Sequence, residues 1–543
     1  MIGLDFFSMN KNIISLFLNR QFFVFGILLI FITGCWRDNK PVAVPTMPLI
    51  SVGFEDDIQN DGILPVKFRG DGNVSYTQGV KGKALDLSYT SEFRKGVVLE
   101  SEHHSRISDY LGVTVLFWVQ LSENDYNTYT IASQLSETSD FEEVGWSFLT
   151  GVGGAWSWRI SDGINMVNYN PTASRQPIND GDWHLLGFSI DFDTKEARLY
   201  YDGINVAVYC LQQEDFSIFN KALSLGVDPF SIDPLSETFN GKLDEFSVWS
   251  RALSPDQIDA LYCQYRESKK VVYRKMSDSL TVMTWNIWGG GVRDGKYVGV
   301  QRVAEIIKLS GADIISMQET FSSGPMIADE LGYYFYQRSE GLSVFSRYPL
   351  GNSYNIYRPR VSGAITIELP EDKQAVLCPV YLSYLPNNGP MIMSGNADAD
   401  SVVLREMGSR GAEMRYIVWE LQSLVDRNDK VPLILAGDFN SGSHLDWTDA
   451  NKENRYNMVI EFPATKILEN AGFIDSFRKL YPNEVEVPGF TWSPRFHEVL
   501  HDRVNFIFYN GSSIEPLWSK VIETHPYGFP SDHAAVVTSF RWK

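Results

Sequence analysis

Five short segments carry the residue types of phosphoester chemistry: Thr284-Trp285-Asn286, Gln318-Glu319-Thr320, Gly437-Asp438-Phe439-Asn440, Asp502-Arg503-Val504-Asn505 and Ser531-Asp532-His533. Residues 431–436 are wholly apolar, the pattern of a strand buried on both faces, and Asp438 and Asn440 follow at its carboxyl end. Side chains two apart on a strand point the same way, so both can face one site. Residues 280–284 deliver Asn286 in the same manner, and residues 314–317 deliver Glu319. Carboxylates and amides are hard oxygen donors that suit Mg²⁺ or Mn²⁺, whereas zinc favours His and Cys. Hydrolysis of a phosphoester needs an activated water, a neutralised oxyanion and a stabilised leaving group, and a bound divalent ion with a positioned base supplies all three. A lone Gly-Asp-Phe-Asn reads as a turn after a buried strand. Five such segments at strand ends read as a site.

In this order the segments resemble the endonuclease/exonuclease/phosphatase superfamily over about residues 280–543, which implies an α/β four-layer sandwich of the deoxyribonuclease I type. The resemblance implies roles as well. Glu319 holds the metal with help from Asn286 and Asp532, Asp438 positions or deprotonates the water, and Asn440 orients the phosphate. His533 acts as general base or as a donor to the phosphoryl oxygen. Ser346-Arg347-Tyr348-Pro349, residues 472–478 and Phe490-Thr491-Trp492-Ser493 also resemble segments of these enzymes. Ser443-His444-Leu445-Asp446-Trp447 resembles a bacterial and fungal branch; His444 either reaches the phosphate or is an ordinary loop histidine, the latter being the simpler reading.

Two departures stand out. Where many members carry a histidine at the end of a central strand, this chain reads Val380-Tyr381-Leu382-Ser383-Tyr384-Leu385-Pro386-Asn387. Tyr381 fits the histidine register and Tyr384 fits the Tyr-x-Pro-Asn register of abasic-site endonucleases; Tyr381 is the preferred phosphate donor. Asn505 stands where an aspartate is expected to orient His533. An amide can fix the imidazole tautomer but cannot stabilise its cation. If the pancreatic-type register applies instead, Asp502 is the partner and the pair is intact.

At the front of the chain, Lys11 and Arg20 precede an apolar stretch, residues 22–32, too short to span a bilayer as a helix. It ends in Ile32-Thr33-Gly34-Cys35, which resembles a bacterial lipobox and implies that Cys35 is lipidated after removal of a signal peptide. The expected location is then the bacterial cell envelope, with the lipid anchoring the chain to a membrane. Cys210, Cys263 and Cys378 have no metal-binding spacing; they read as buried thiols, or one pair bridges.

The 543 residues, 44% hydrophobic and 13% aromatic, suffice for more than one core. Net charge is −20, of which residues 281–543, with 24 basic and 31 acidic side chains, contribute −7. Such a surface disfavours sequence-independent duplex binding, which depends on neutralising phosphates with Lys and Arg. The expected organisation is a signal peptide (1–35), a linker (36–49), an all-β jelly-roll sandwich (50–265), a second linker (266–279) and the catalytic domain (280–543). Residues 113–119, 183–189 and 197–203 alternate as sandwich strands. Residues 80–87 and 240–246 resemble laminin G-like, concanavalin-type domains, which implies a glycan or surface ligand, in some members through Ca²⁺. Ser254 and Pro255 open a closing helix as N-cap and first residue.

The expected function is an exported, lipid-anchored, divalent-metal phosphoesterase. Nucleic acid, phospholipid headgroup, sugar phosphate and inositol phosphate are the candidate substrates. The rival is a surface protein whose hydrolase half has decayed and now binds a phosphorylated ligand or a glycan.

Overall fold

Strand alternation sorts the C-terminal half into layers. In Ser279–Asn286, Leu280 and Val282 face one side while Met283 and Trp285 face the other; in Leu433–Asp438, Ile434 and Ala436 oppose Leu433 and Leu435. The even-numbered sides of both strands share one core between two sheets, with Ile314, Leu377, Ile507 and Tyr509. The odd-numbered sides lie under helices. Lys296–Ser310 covers the first sheet with Val300, Val303 and Ile307. Arg410–Val425 covers the second with Met414, Ile417, Leu421 and Leu424, the three-and-four spacing of one helical face. The result is an α/β four-layer sandwich.

The computed structural model describes residues 47–543 apart from 72–73, 89–95, 100–106, 138–142, 152, 213–215, 217–218, 220–221, 228–238, 271–277 and 427–429. The expected signal peptide and Cys35 lie outside the described residues. In the C-terminal half, Ser279–Asn286 runs parallel to Ile314–Gln318 and antiparallel to Ala535–Trp542. In the facing sheet, Leu433–Asp438 runs parallel to Gln374–Tyr381 and antiparallel to Asn505–Asn510.

The N-terminal half is a β-sandwich. Gly112–Leu121 pairs with His184–Asp191 and with Gly241–Trp249. Val113, Val115, Phe117 and Val119 enter the core between the two sheets, while Leu116 and Trp118 face the closing helix Pro255–Tyr262. Ser254 caps that helix: its side chain accepts from the Gln257 N–H and Gln257 answers it, with Pro255 in the first turn. The two segments that carry the concanavalin resemblance meet at buried Asp244, whose Oδ2 accepts the Val80 N–H at 2.8 Å.

The two halves share a sheet. Ala207–Tyr209 of the edge strand Ile204–Cys210 pair in parallel with Phe335–Gln337 of Tyr334–Ser339, so the first catalytic sheet and one sandwich sheet run on as fourteen strands among the described residues. Arg198 donates to the carbonyl of Gly351 at 2.6 Å, and Asp329 accepts the Thr172 N–H at 2.9 Å and the Gln176 amide at 3.0 Å. The polar stretch that follows the closing helix is held down as well, with Lys269 on Asp202 at 2.6 Å.

Candidate active site

Parity and register gather the site. Asn286 lies on the side of its strand that carries Leu280 and Val282, Tyr381 on that of Ala375 and Leu377, Asp438 on that of Ile434 and Ala436, and Asn505 on that of Ile507 and Tyr509. All four therefore face the space between the sheets. Tyr381, Asp438 and Asn505 occupy one rung across three adjacent strands. Across from them, Asn286 ends its strand beside Gln318, and Glu319 follows.

A polar chain crosses the gap. The Asn286 amide donates from Nδ2 to Glu319 Oε1 (3.2 Å) and to Asp438 Oδ2 (3.1 Å). Glu319 Oε1 also accepts the Tyr381 hydroxyl at 2.9 Å, and Oε2 accepts the Gly289 N–H at 2.7 Å. Asp438 Oδ1 accepts the Asn440 N–H at 2.9 Å, while the Asn440 side chain donates to the Leu382 carbonyl at 2.9 Å. His533 Nδ1 lies 3.0 Å from Asn505 Oδ1, and Nε2 lies 3.7 Å from Asp438 Oδ2. Ser531 ties the segments together: its hydroxyl donates to the Asn286 carbonyl (2.6 Å) and accepts the His533 N–H (3.1 Å). Glu319, Asn440 and Trp288 hold left-handed backbone, at φ 57, 48 and 56. Such strain persists only where the surroundings over-determine it, and it concentrates at functional sites.

The electrostatics are those of crowded carboxylates. Asp438 and Asn505 are fully buried and Asp532 nearly so. Burial raises the Asp438 carboxyl above the usual range, with His533 opposing and Glu319 adding to the rise. Burial raises Asp532 too, helped by Glu319 and Asp438 and opposed by His533. The Tyr381 phenol is pushed up by burial and by the charges of Asp438 and Glu319, so it is a hydrogen-bond donor at any physiological pH.

A divalent cation fits this donor set. Among the described residues no three His, Cys, Asp or Glu side chains converge at ligand spacing, in either half of the chain. Mg²⁺ does not require that, since it keeps several waters and takes one or two carboxylates plus substrate oxygens. Glu319 receives three neutral donors, and Asp532 Oδ1 is buried without any hydrogen-bond partner. An unpartnered buried carboxylate oxygen is costly without a cation.

Several candidates lie elsewhere. Tyr384 is 65% exposed, whereas Tyr381 reaches Glu319. Asp502 accepts the Trp447 indole N–H at 2.9 Å and stands 3.7 Å from Arg455, so Asn505 and not Asp502 faces His533. His444 contacts Thr465 (2.8 Å) and Glu469 (3.1 Å), as an ordinary loop histidine. Cys378 is buried and Cys210 half-buried, and both are free thiols.

The smaller matched segments form the support beneath. Thr491 Oγ1 accepts the N–H groups of Val504 and Asn505, at 2.9 and 3.1 Å, and the Trp492 ring lies 4.8 Å from that of His533. Asp446 accepts from Arg478 (2.5 Å) and Arg503 (2.9 Å), and Arg503 reaches Asp475 at 2.6 Å, all four side chains buried. Asp446, Arg503 and Thr491 have no role in the sequence reading; their signal was membership of the short segments around them.

Residues 283–533 match the Endonuclease/Exonuclease/phosphatase family. The C-terminal half is similar to that family over these residues. Residues 97–259 match the Concanavalin A-like lectin/glucanases superfamily. The uncharacterised protein F14F9.5 of Caenorhabditis elegans is 28% identical over 321 residues, covering 52% of this chain and 96% of its own. Among solved structures, the human Nocturnin catalytic domain with bound sulfate is 19% identical, covers 50% of this chain and 97% of its own, and has a TM-score of 0.36. A humanised D. rerio TDP2 carrying 14 mutations is 17% identical, covers 49% of this chain and 100% of its own, with a TM-score of 0.34.

Proposed function

We propose that the chain is a divalent-metal-dependent phosphoesterase, exported and anchored in the bacterial envelope through a lipid on Cys35. The observation that carries the catalytic reading is the polar chain Glu319, Asn286, Asp438, His533, Asn505 between two sheets, hydrogen-bonded throughout except for the 3.7 Å step from Asp438 to His533. Glu319, Asn286 and Asp532 would hold Mg²⁺ or Mn²⁺, and the chemistry such an ion would supply there is withdrawal of charge from a phosphoryl oxygen. Asp438, made more basic by burial, orients the attacking water and takes its proton. The Asn286 amide, donating to both Glu319 and Asp438, keeps the two carboxylates apart in direction and fixed in place. His533, with Nδ1 directed to Asn505, turns Nε2 toward Asp438 and the phosphoryl group, where it accepts or returns a proton. Tyr381, always protonated, donates to a phosphoryl oxygen once substrate competes with Glu319. Asn440 shapes the floor beside Asp438 and orients the phosphate.

The neutral Asn505 favours one other reading, a decayed site that binds phosphate without turning it over. Trp118, Trp146, Trp156 and Trp158 of the sandwich are buried in its interior, so none of these four presents a sugar-stacking face. The test is hydrolysis of bis-p-nitrophenyl phosphate, p-nitrophenyl phosphate, sphingomyelin and plasmid DNA by protein from residue 36 onward, with Mg²⁺, with Mn²⁺ and in EDTA. Turnover that survives chelation contradicts the metal-dependent reading, and phosphate binding without turnover of any ester supports decay. The anchor rests on sequence alone. Cys35→Ser is expected to leave an unprocessed precursor, and normal processing of that variant removes the lipoprotein proposal.

A further inference from the structure

Trp288 stands two residues beyond Asn286 and accepts unusual packing. Its N–H donates to Asn286 Oδ1 at 3.0 Å, and its backbone is left-handed. Two guanidinium groups lie over that ring, Arg293 at 5.1 Å and Arg495 at 5.0 Å from its centroid. Phe496, 39% exposed, meets it edge-on with centroids 5.9 Å apart. Phe496 is in turn 6.2 Å from Trp492, which packs on His533. An arginine-and-aromatic surface thus runs from the metal-side ligand Asn286 to the proton-transfer residue His533.

The charges on this surface are unequal. Arg495 shares its charge with Asp294 at 2.9 Å. Arg293 is exposed and has no carboxylate partner among the described residues. It rests against Gly289, where an added Cβ would come within 3.0 Å of its Nε, and the Gly289 N–H is the one that holds Glu319. An available cation therefore sits within a residue of the catalytic carboxylate, on a chain whose net charge is −20.

Guanidinium planes and aromatic rings stack on any nucleobase, whereas a choline cation, which aromatic faces alone would attract, is repelled by the two arginines over this ring, and a polyol offers the guanidinium planes no flat face to stack on. The acidic remainder of the surface opposes a long duplex, whose binding scales with the number of phosphates neutralised. One base beside one phosphate satisfies both conditions. We propose that this surface selects phosphoesters carrying a single planar base next to the scissile phosphate, nucleotides or nucleotide-capped esters, over base-free sugar, inositol and choline phosphates. The proposal rests on the phosphoesterase reading above.

The test is competitive inhibition, in Mg²⁺, of whichever nitrophenyl ester the full-length mature protein hydrolyses, by adenosine 5′-monophosphate and by ribose 5-phosphate. The expected result is inhibition about tenfold stronger by the base-bearing compound, the low end of what one stacked base contributes. In Phe496→Ala and in Arg293→Ala that preference should fall toward one. Phe496 and Arg293 are both exposed, so neither change threatens the core. Equal inhibition by the two compounds in the wild type, or an unchanged preference in both variants, overturns the proposal while leaving the hydrolase intact. No hydrolysis of either nitrophenyl ester, or hydrolysis undiminished in Asp438→Asn, overturns the underlying reading and the proposal with it.

Discussion

The pairing of His533 with an amide in place of a carboxylate is the sharpest feature at the level of single residues. Asn505 and Asp438 are opposite one another on neighbouring strands and both are fully buried. A carboxylate at 505 would put a second buried negative charge beside the first, and an asparagine avoids it. The cost is visible too, because Asn505 Nδ2 is buried without a partner. In Asn505→Asp the added charge favours the imidazolium form, so the acidic limb of the rate profile should move to higher pH. In parallel kcat should rise, by up to the ~10⁴ that separates aspartate from asparagine beside a catalytic histidine elsewhere. Rates and pH profiles unchanged by the substitution would show that residue 505 does not act through His533. The sequence narrowed this partner to two residues and could not choose, because strand parity depends on where pairing starts, and Asn505, not Asp502, begins the paired segment. Tyr381 and Tyr384 posed the same question, and only the end of the strand Gln374–Tyr381 answers it. A second residue-level expectation concerns pH and folding. Burial pushes Asp244 up to about 7 and Asp502 up to about 6, against about 3.9 unfolded. The native state therefore binds protons more tightly than the unfolded chain in this window, and the two groups stabilise the fold less as pH rises from about 4 through 6 to 7. Urea unfolding should give a free energy that declines between pH 5 and 7; a flat or rising curve would contradict it.

Elements position these residues by ending in the right place. The segments of Asn286, Glu319 and Asp438 were legible because each ends an apolar run, a local pattern that survives without knowledge of the partner strand, whereas Asn505 begins its strand and His533 stands just ahead of Ala535–Trp542. What held the ends in register was not legible. The loop after the strand Gln374–Tyr381 is clamped by Arg410, which donates to the carbonyls of Ser383 (3.0 Å) and Pro386 (2.8 Å) and pairs with buried Glu406; Glu406 also accepts from Ser441, next to Asn440. Arg503 does the same for the segment before Asn505, through Asp446 and Asp475. Those partners are 57 and 28 residues away, and a charge at such a separation reads in sequence as surface. Arg503→Met would leave buried Asp475 without its cation and Asp446 with Arg478 alone, and a loss of about 3–5 kcal/mol is expected in urea denaturation. A loss below about 1 kcal/mol would mean the network carries little of the fold.

At the scale of the molecule the expectation of two domains joined by a polar linker holds for the fold classes and understates their union. The strand Ile204–Cys210 continues the first catalytic sheet through Tyr334–Ser339, and Arg338 of the catalytic half donates to Cys210 of the sandwich at 2.9 Å. Parallel pairing between two edge strands leaves no mark in either strand's own pattern, so sequence periodicity could not reveal it. The union gives the sandwich a task that needs no ligand: it covers a sheet edge that would otherwise invite association. Residues 279–543 produced alone should self-associate or unfold at lower temperature than the full chain, and the intact protein should melt in one calorimetric transition. A soluble monomeric fragment with the stability of the whole, together with two separate transitions in the whole, would show the halves to be independent.

The claim on which the rest depends is that Asp438 and a divalent cation act together in one site. The direct measurement is the initial rate on nitrophenyl phosphate esters for wild type and Asp438→Asn, each in EDTA and after Mg²⁺ is restored in excess. The wild type should be silent in EDTA and recover with Mg²⁺, and the variant should stay lower than the wild type by about 10² or more once Mg²⁺ is restored, the scale of losing one positioned base. Wild-type turnover in EDTA, or a variant that recovers with Mg²⁺ to the wild-type rate, would contradict the account.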